Sequence, residues 1–196
     1  MVSFNPRKIY GRWTEGYVLD LHTTGSVFLG DDALGHPQFE THRTEVGELL
    51  YQLKYREDQS VVTEICRAAE LLVKRWRIQI DMIVPVPPTR VDRTLQPVEL
   101  LAEELGSRLA VPVTKDAIRK LGRFAELKNV YDAEERRKLL EGAFEVNGPR
   151  VTGQRILLFD DLYRSGATMN AVTEALIASG ASVVYAFALT QTRRGG

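Results

Sequence analysis

The chain has 196 residues, of which 26 are acidic and 26 are basic, so its formal net charge is zero at neutral pH. A balanced charge argues against a dedicated nucleic-acid-binding protein, which usually carries a basic excess. Apolar residues make up 44% of the chain, which is enough to form a core. No apolar run approaches the ~18 residues of a membrane span, and the first residues lack the apolar segment of a signal peptide. We therefore expect a cytoplasmic protein.

The N-terminal part of the chain is predicted to form a small α+β extension. Residues 16–29 are rich in β-formers around a Thr-Thr-Gly-Ser turn and predict a hairpin, whereas residues 31–42 resemble a loop. Thr44 and the apolar spacing after it predict a helix to about Tyr55. Asp58 or Ser60 should cap a second helix that ends at Trp76. We interpret residues 1–76 as a hood or extension and residues 77–196 as the core domain.

The single cysteine, Cys66, falls in the second predicted helix among apolar neighbours. One cysteine excludes an intrachain disulfide and a thiolate zinc cluster. We interpret Cys66 as a buried structural thiol and not as a nucleophile.

The rest of the chain alternates strands with helices, a pattern typical of a parallel sheet. Strands are predicted at residues 81–84, 111–113, 117–118, 143–146, 156–159 and 183–189. Helices are predicted from Pro97 to about residue 109 along a leucine-rich face, at residues 133–140, and at residues 168–179. The fold class expected from this pattern is α/β with a parallel sheet.

The segment of residues 156–168 is the most informative part of the chain. Four apolar residues predict a strand buried on both faces, and Asp160 and Asp161 follow where that strand should end. A Ser-Gly-Ala-Thr turn at residues 165–168 then precedes a predicted helix. Open α/β sheets bind ligands at the carboxyl ends of their strands, and helix N-termini bind anions. Carboxylates for sugar hydroxyls beside donors for a phosphate indicate a phosphorylated sugar as the ligand.

Both parts of this segment also have a simpler interpretation. Ser165 or Thr168 could serve as an ordinary helix cap, and the two acids could lie at a solvated strand end. The combination favours ligand binding, because an apolar strand seldom ends in paired charge.

The same thirteen residues resemble the signature of the type I phosphoribosyltransferases, which bind 5-phosphoribosyl-1-diphosphate (PRPP). That signature has an apolar run, two acids, three variable residues, Thr or Ser, Gly, a small residue and Thr. The resemblance implies a three-layer phosphoribosyltransferase-type fold with a small hood. It also implies that Asp160 and Asp161 bind the ribose 2- and 3-hydroxyls. The 5-phosphate would be bound by the turn and the residue before it, namely Arg164, Ser165, Gly166, Ala167 and Thr168.

The resemblance further implies Mg²⁺ as a cofactor, held mainly by the hydroxyls and diphosphate of the ligand. Asp160 and Asp161 would contact the ion through water or through the ligand. The diphosphate itself would be bound by the proline-rich loop after the strand at residues 81–84, where the candidate residues are Val86, Pro87, Thr89, Arg90 and Arg93. Because prolines lack an N–H donor, Thr89 and the two arginines should supply much of this contact. The alternative is a stiff surface turn with two solvated arginines.

A basic segment at residues 119–137 is interpreted as a mobile lid over the diphosphate or, alternatively, as a solvated charge run. Its basic residues are Arg119, Lys120, Arg123, Lys128, Arg136 and Arg137. No catalytic residue is assigned here or elsewhere. The three histidines, His22, His36 and His42, precede the predicted core and are interpreted as surface or hairpin residues.

Within the family, the chain resembles the branch of the competence protein ComF. The similarity covers roughly residues 49–192 and rests on Val-Pro-Val-Pro at 84–87, spaced arginines, Leu-Leu-Ala at 100–102, Glu-Arg at 135–136, Gly-Ala-Phe at 142–144 and Leu-Lys-Tyr at 53–55. The four-cysteine zinc module that members often carry is absent. Residues 94–97 read Thr-Leu-Gln-Pro where the branch usually has Gly-Phe-Asn-Gln, and Leu139 replaces a usual Asn.

The function implied by the resemblance is transfer of the phosphoribosyl group from PRPP to a nitrogen nucleophile, with release of diphosphate. The alternative is a non-catalytic sensor of PRPP or a nucleotide, or a partner-binding protein with a regulatory or DNA-uptake role. A homodimer is implied by the resemblance alone. A P-loop NTPase and a Rossmann dehydrogenase are excluded, because neither glycine motif occurs.

Overall fold

The computed structural model describes residues 2–32, 34–88, 95–121 and 142–193, and the structural statements below concern these residues. In chain order, the strands and helices are β1 (Arg7–Lys8), β2 (Glu15–Leu21), β3 (Thr23–Asp31), β4 (Pro37–Arg43), α1 (Glu45–Arg56), α2 (Val62–Trp76), β5 (Met82–Pro85), α3 (Pro97–Leu109), β6 (Ile118–Lys120), β7 (Phe144–Val146), α4 (Gly148–Val151), β8 (Arg155–Tyr163), α5 (Ala167–Ala178) and β9 (Val183–Gln191).

A five-stranded sheet with the order β1-β2-β9-β8-β5 forms the centre of the molecule. Strands β2, β9, β8 and β5 are parallel, and β1 pairs antiparallel with β2 at one edge. At the other edge, Val113 forms an isolated parallel bridge to Ile83. Because these strands are parallel, their carboxyl ends meet at one edge, where ligands bind in folds of this class.

Helices and a small sheet cover the two faces of the central sheet, so the core has two parts. Leu157, Phe159 and Phe187 belong to the part that includes buried residues of α1, α2 and α3. Ile156 and Leu158 point to the opposite face, against α5 and the β6–β7 pair. Since successive strand residues face opposite sides, a strand between two such layers must be apolar on both. The predicted α/β class with a parallel sheet is confirmed.

Most of the predicted elements are present. Thr44 caps α1, its Oγ1 accepting the N–H of Gly47 at 3.0 Å, and Asp58 caps the short turn that leads into α2. Pro97 occupies the first turn of α3, as its fixed φ and missing N–H favour. The helix predicted at residues 133–140 lies outside the described residues.

The predicted hairpin at residues 16–29 is wrong. Residues 15–21 form β2, which pairs in parallel with β9 inside the central sheet, and β3 pairs with β4 instead. The loop predicted for residues 31–42 is correspondingly wrong from Pro37 onward. Pairing with β3 orders this segment, and the rings of Phe28 and Phe39 lie 5.5 Å apart across the two strands.

The N-terminal segment contributes β1 and β2 to the same sheet as the C-terminal strands, and α1 and α2 to one of its covering layers. The division into a hood of residues 1–76 and a core of residues 77–196 remains a prediction. In the part of the chain that the structure describes, no helix combines the length and the apolar character needed to cross a bilayer.

Candidate ligand-binding site

The acidic doublet lies inside β8 and not beyond its end, which corrects the predicted strand boundary. Pairing with β9 continues past the doublet to Leu162 and Tyr163, so the strand ends at Tyr163. The extension of β8 depends on its pairing with β9, and the polar residues at positions 160 and 161 gave no local signal that the strand continues through them. The two carboxylates therefore leave opposite faces of the sheet near its carboxyl edge.

Asp161 is buried, with a relative exposure of 7%, on the face covered by α1. Its Oδ2 lies 2.8 Å from Nζ of Lys54, a residue of α1 whose side chain is 18% exposed. We expected carboxylates in contact with bulk water, but the Asp161 carboxylate is instead enclosed and paired. Sequence reasoning assigned Lys54 no role. The only signal was a lysine directly after Leu53 on the apolar side of the helix, where a cation needs a partner.

Asp160 is half-buried on the opposite face, and its Oδ1 accepts the N–H of Asp161 at 2.8 Å. Burial and then the neighbouring Asp161 carboxylate raise the pKa of Asp160 well above its ordinary value of 3.8. The N–H bond and the more distant Lys54 oppose this shift only in part. Asp160 is thus a carboxyl group whose charge is costly without a partner, as binding groups often are.

A network of polar groups connects Asp161 to β9 and β2. The Thr190 hydroxyl donates to the Asp161 carbonyl at 3.2 Å and lies 3.2 Å from Nδ1 of His22. His22 was interpreted as a surface or hairpin residue. It is half-buried at the carboxyl end of β2, beside the candidate site. Burial first, and then Lys54 and Arg43, lower the pKa of His22, so its neutral form is favoured.

The predicted phosphate turn connects β8 to α5. Gly166 is the N-cap residue of α5 with φ of 78°, so the N-cap residue itself has no side chain. Ser165 Oγ accepts the N–H of Ala167 at 3.4 Å, and Arg164 and Ser165 are exposed. Gly166 is itself buried, whereas Ala167 and Thr168 are half-buried. The N-cap position is thus occupied by glycine, and of the two hydroxyl residues considered as caps, Ser165 contacts one N–H group of the first turn from the preceding position.

The described part of the proline-rich loop lies next to the doublet. Val86 is buried, and its N–H donates to the carbonyl of Phe159 at 2.8 Å, which places the start of the loop beside the residue that precedes Asp160. Pro87 is half-buried. Three further candidate diphosphate residues, Thr89, Arg90 and Arg93, lie outside the described residues.

The predicted lid is described only at its start. Arg119 pairs with Glu145 of β7 across the β6–β7 sheet, with Nε 2.7 Å from Oε2, so it is engaged in a surface ion pair. Lys120 is half-buried, and burial lowers its pKa. The other basic residues of this segment, Arg123, Lys128, Arg136 and Arg137, lie outside the described residues.

Cys66 is buried in α2, where its Sγ lies 3.4 Å from the carbonyl of Leu101. Burial raises the pKa of its thiol to about 12, so the thiolate is strongly disfavoured at neutral pH. These observations agree with a structural thiol. Among the described residues, no three or more His, Cys, Asp and Glu side chains come together as a potential metal site.

Solved structures with a similar backbone include several phosphoribosyltransferases. An adenine phosphoribosyltransferase has a TM-score of 0.50 at 14% identity, over 86% of this chain and 85% of that one. The adenine phosphoribosyltransferase of Saccharomyces cerevisiae has a TM-score of 0.49 at 13% identity, over 86% and 83%. The chain has the fold of the phosphoribosyltransferases. Identities this low show the fold alone.

A third similar structure, the glutamine PRPP amidotransferase of B. subtilis, has a TM-score of 0.45 at 17% identity. The match covers 65% of this chain but spans only 26% of the amidotransferase. No family model matches the chain, and no curated protein does.

Proposed function

We propose that this protein binds PRPP together with Mg²⁺ and transfers its phosphoribosyl group to a nitrogen nucleophile, releasing diphosphate. One observation carries the proposal: β8 delivers Asp160 to the carboxyl edge of the sheet, and the same strand runs directly into the Gly166 turn that opens α5. The carboxyl group proposed to bind the sugar and the helix N-terminus proposed to bind the phosphate are therefore joined by a few residues of one chain segment.

The turn supplies the chemistry expected for the 5-phosphate. Backbone N–H groups of the first turn of a helix have no partner within the helix, and the helix dipole favours an anion there by ~0.3–1 kcal/mol. The positive φ of Gly166 suits a residue without a side chain, and the space that a Cβ would occupy is filled by the ring of Tyr163. In this proposal Arg164, Ser165 and Thr168 add side-chain donors around the same phosphate.

Mg²⁺ fits the site as an ion that arrives with its ligand. Magnesium is commonly held by one or two carboxylates plus substrate phosphates, with water completing its shell. Asp160 offers one such carboxylate, whereas Asp161 is already paired with Lys54. When bound, the ion would neutralise charge on the diphosphate. Asp160 would meet it through water or through the ribose hydroxyls.

The proposed reaction needs little covalent chemistry from the protein. The lone pair of the acceptor nitrogen forms a bond to ribose C1, the bond from C1 to the diphosphate oxygen breaks, and its electron pair leaves with diphosphate. The residues of β8 and the Gly166 turn would hold the sugar and its phosphate in place while this occurs. Positioning of this kind is a large source of rate acceleration.

Calorimetric titration with PRPP and Mg²⁺ tests the binding step. We expect wild type to bind and the double variant Asp160→Asn/Asp161→Asn to lose at least about tenfold in affinity, since the Asp160 carboxylate would no longer accept hydrogen bonds from the ribose and Lys54 would lose its partner beside the site. Asp116→Asn is the matched control, because Asp116 is an exposed carboxylate paired with Arg150. Unchanged affinity in the double variant would reject the proposed ribose site.

Release of diphosphate from PRPP across a panel of bases and amines tests the transfer step. Turnover with one acceptor would support the enzyme. Binding without turnover, together with recovery of a specific partner, would support the alternative of a sensor or partner-binding protein.

Two finer proposals rest on sequence resemblance, namely membership of the ComF-like branch and a homodimer, and a third, a cytoplasmic location, rests on the pattern of apolar residues. Sedimentation of the purified protein tests the homodimer directly. A single species at the monomer mass of 22.1 kDa would reject the dimer.

A further inference from the structure

The ring of Trp13 is enclosed by neighbouring backbone. The side chain is buried, with a relative exposure of 6%. A Cβ on Gly11 would lie 2.4 Å from Cη2 of this ring, and a Cβ on Gly16 would lie 2.5 Å from its Nε1. The Nε1–H group also donates to the carbonyl of Ile9 at 3.2 Å. Two glycines that let the backbone approach the ring, together with this hydrogen bond, therefore hold the ring in one place.

Trp13 is connected to the Gly166 turn through one side chain. Its ring makes an edge-on contact with the ring of Tyr163, with centroids 6.2 Å apart and an angle of 80° between the planes. Tyr163 is buried, and one of its ring carbons lies 2.9 Å from the position that a Cβ on Gly166 would occupy. The tryptophan and the turn therefore both contact the same buried ring.

Hydrogen bonds form a second connection from the same loop to the turn. The backbone N–H of Arg12 donates to Oδ1 of Asn170 at 2.7 Å. The backbone N–H of Asn170 in turn donates to the carbonyl of Gly166 at 2.8 Å. The Arg12 guanidinium also pairs with Glu174, one helical turn further along α5, at 3.0 Å. The loop before β2 thus lies against the first two turns of α5.

These contacts bear on the backbone of the turn. The proposed phosphate donors are N–H groups at the start of α5, and their direction depends on where the turn is held. Misplacement by about 1 Å can cost a factor of about 100 in the reaction of a bound substrate. Packing without a positioning role would instead contribute to folding stability and leave the affinity of the folded protein unchanged.

We propose that Trp13 and Asn170 are positioning residues that hold the Gly166 turn in the geometry that binds a phosphate group. Trp13 acts through the ring of Tyr163. Asn170 acts through the Gly166 carbonyl, and the Arg12 N–H holds its side chain. The N-terminal segment thereby supports the phosphate site from behind the turn. The identity of the ligand as PRPP rests on the proposed function.

Two compounds that correspond to different ends of PRPP test the inference by calorimetry. Ribose 5-phosphate requires the Gly166 turn, whereas inorganic diphosphate with Mg²⁺ does not. We expect Trp13→Leu and Asn170→Ala each to weaken ribose 5-phosphate about tenfold and to change diphosphate affinity by less than about twofold. Trp13→Phe keeps an aromatic ring and should restore most of the loss. Unchanged affinity for ribose 5-phosphate, or equal loss for both compounds, would overturn the inference.

Trp76→Leu is the matched control. Trp76 makes edge-on contacts with Tyr17 and Tyr185, but it packs against the part of the core on the opposite face of the sheet from Trp13. The control should lose stability and keep its affinity for ribose 5-phosphate. If Trp13→Leu does not fold, Asn170→Ala decides, because the half-buried Asn170 side chain can be removed without a large cavity.

Hydrogen exchange of the ligand-free protein separates this inference from the proposed function. The amide of residue 170 should exchange at least about fivefold faster in Trp13→Leu than in Trp76→Leu, because its bond to the Gly166 carbonyl opens more often. Equal exchange in the two variants would overturn the inference. If wild-type protein binds neither PRPP nor ribose 5-phosphate, the proposed function fails, and exchange alone decides whether Trp13 holds the turn.

Discussion

The ring of Tyr163 lies directly against Gly166, so that a Cβ built on Gly166 would lie 2.6 Å from the Tyr163 hydroxyl oxygen and 2.9 Å from a ring carbon. Tyr163 in turn makes an edge-on contact with Trp13, with ring centroids 6.2 Å apart. Tyr163 thus packs against the turn before α5, and Trp13 of the N-terminal segment packs against Tyr163. Only a residue without a side chain fits at its positive φ.

Gly166→Ala should therefore lower the free energy of unfolding by about 1–3 kcal/mol, because it adds both backbone strain and a clash. We also expect weaker PRPP binding, since relief of the clash must move the turn. Denaturant unfolding and calorimetry measure the two effects. Gly25→Ala is the matched control, because Gly25 has open space around its Cβ position. An alanine variant at 166 as stable as wild type would contradict this account of the turn.

Asp160→Asn should stabilise the ligand-free protein at pH 7–8. A carboxyl with a raised folded pKa contributes stability that is fully present below its unfolded pKa and is lost as the pH rises through the folded value. The amide of the variant is neutral at every pH, whereas the Asp160 carboxyl of wild type becomes neutral only as the pH falls. The gain in stability should therefore shrink as the pH falls toward 4. Thermal unfolding between pH 4 and 8 measures the gain. A variant less stable than wild type at pH 8 would show that the Asp160 charge is not costly in the folded state.

Lys54→Met should lower the free energy of unfolding by about 3 kcal/mol, because it leaves the carboxylate of Asp161 buried without its counter-ion. Adding Asp161→Asn should restore most of this loss. Urea unfolding of the two single variants and the double variant gives the coupling energy between them. Lys74→Met should change stability by less than about 1 kcal/mol, since the Lys74 side chain is 61% exposed and its ion pair with Glu70 is open to water on that side. Additive effects of the two site substitutions would refute the coupling.

Arg155 and Asp81 connect β8 to β5 at the end of the sheet opposite the candidate site, with Nη2 2.6 Å from Oδ1 and Nε 3.0 Å from Oδ2. Hydrogen bonds from the Arg155 side chain and backbone lower the pKa of Asp81 to about 2. Because the pKa of Asp81 is lower in the folded protein than its ordinary value of 3.8, the ionised carboxylate stabilises the fold at pH values above 3.8. This stabilisation is lost as the pH falls toward 2.

Arg155→Gln should therefore destabilise the protein at neutral pH. The difference in stability between the variant and wild type should become smaller between pH 4 and pH 2. Thermal unfolding across this range measures the difference. Arg150→Gln removes an exposed pair with Asp116 and serves as the control. A difference that stays constant down to pH 2 would show that Asp81 does not provide the pH dependence.

The sequence by itself determined the alternation of strands and helices, the cap at Thr44, the proline in the first turn of α3, and the position of the acidic doublet with its turn. These features are local. The spacing of apolar residues, the cap residues and a glycine before a helix each depend on only a few neighbouring residues. They can therefore be recognised without knowing which strand lies alongside in the sheet.

Only the tertiary structure decided which strands pair and which charges meet. Residues 15–21 are as compatible with a hairpin as with a central strand, and pairing with β9, far along the chain, selects the second. The ion pair between Lys54 and Asp161 likewise depends on the fold, because the two residues are separated by more than one hundred residues in the chain. Strand pairing and the burial of a charge depend on what the folded chain places nearby, and a local pattern carries no information about such distant neighbours.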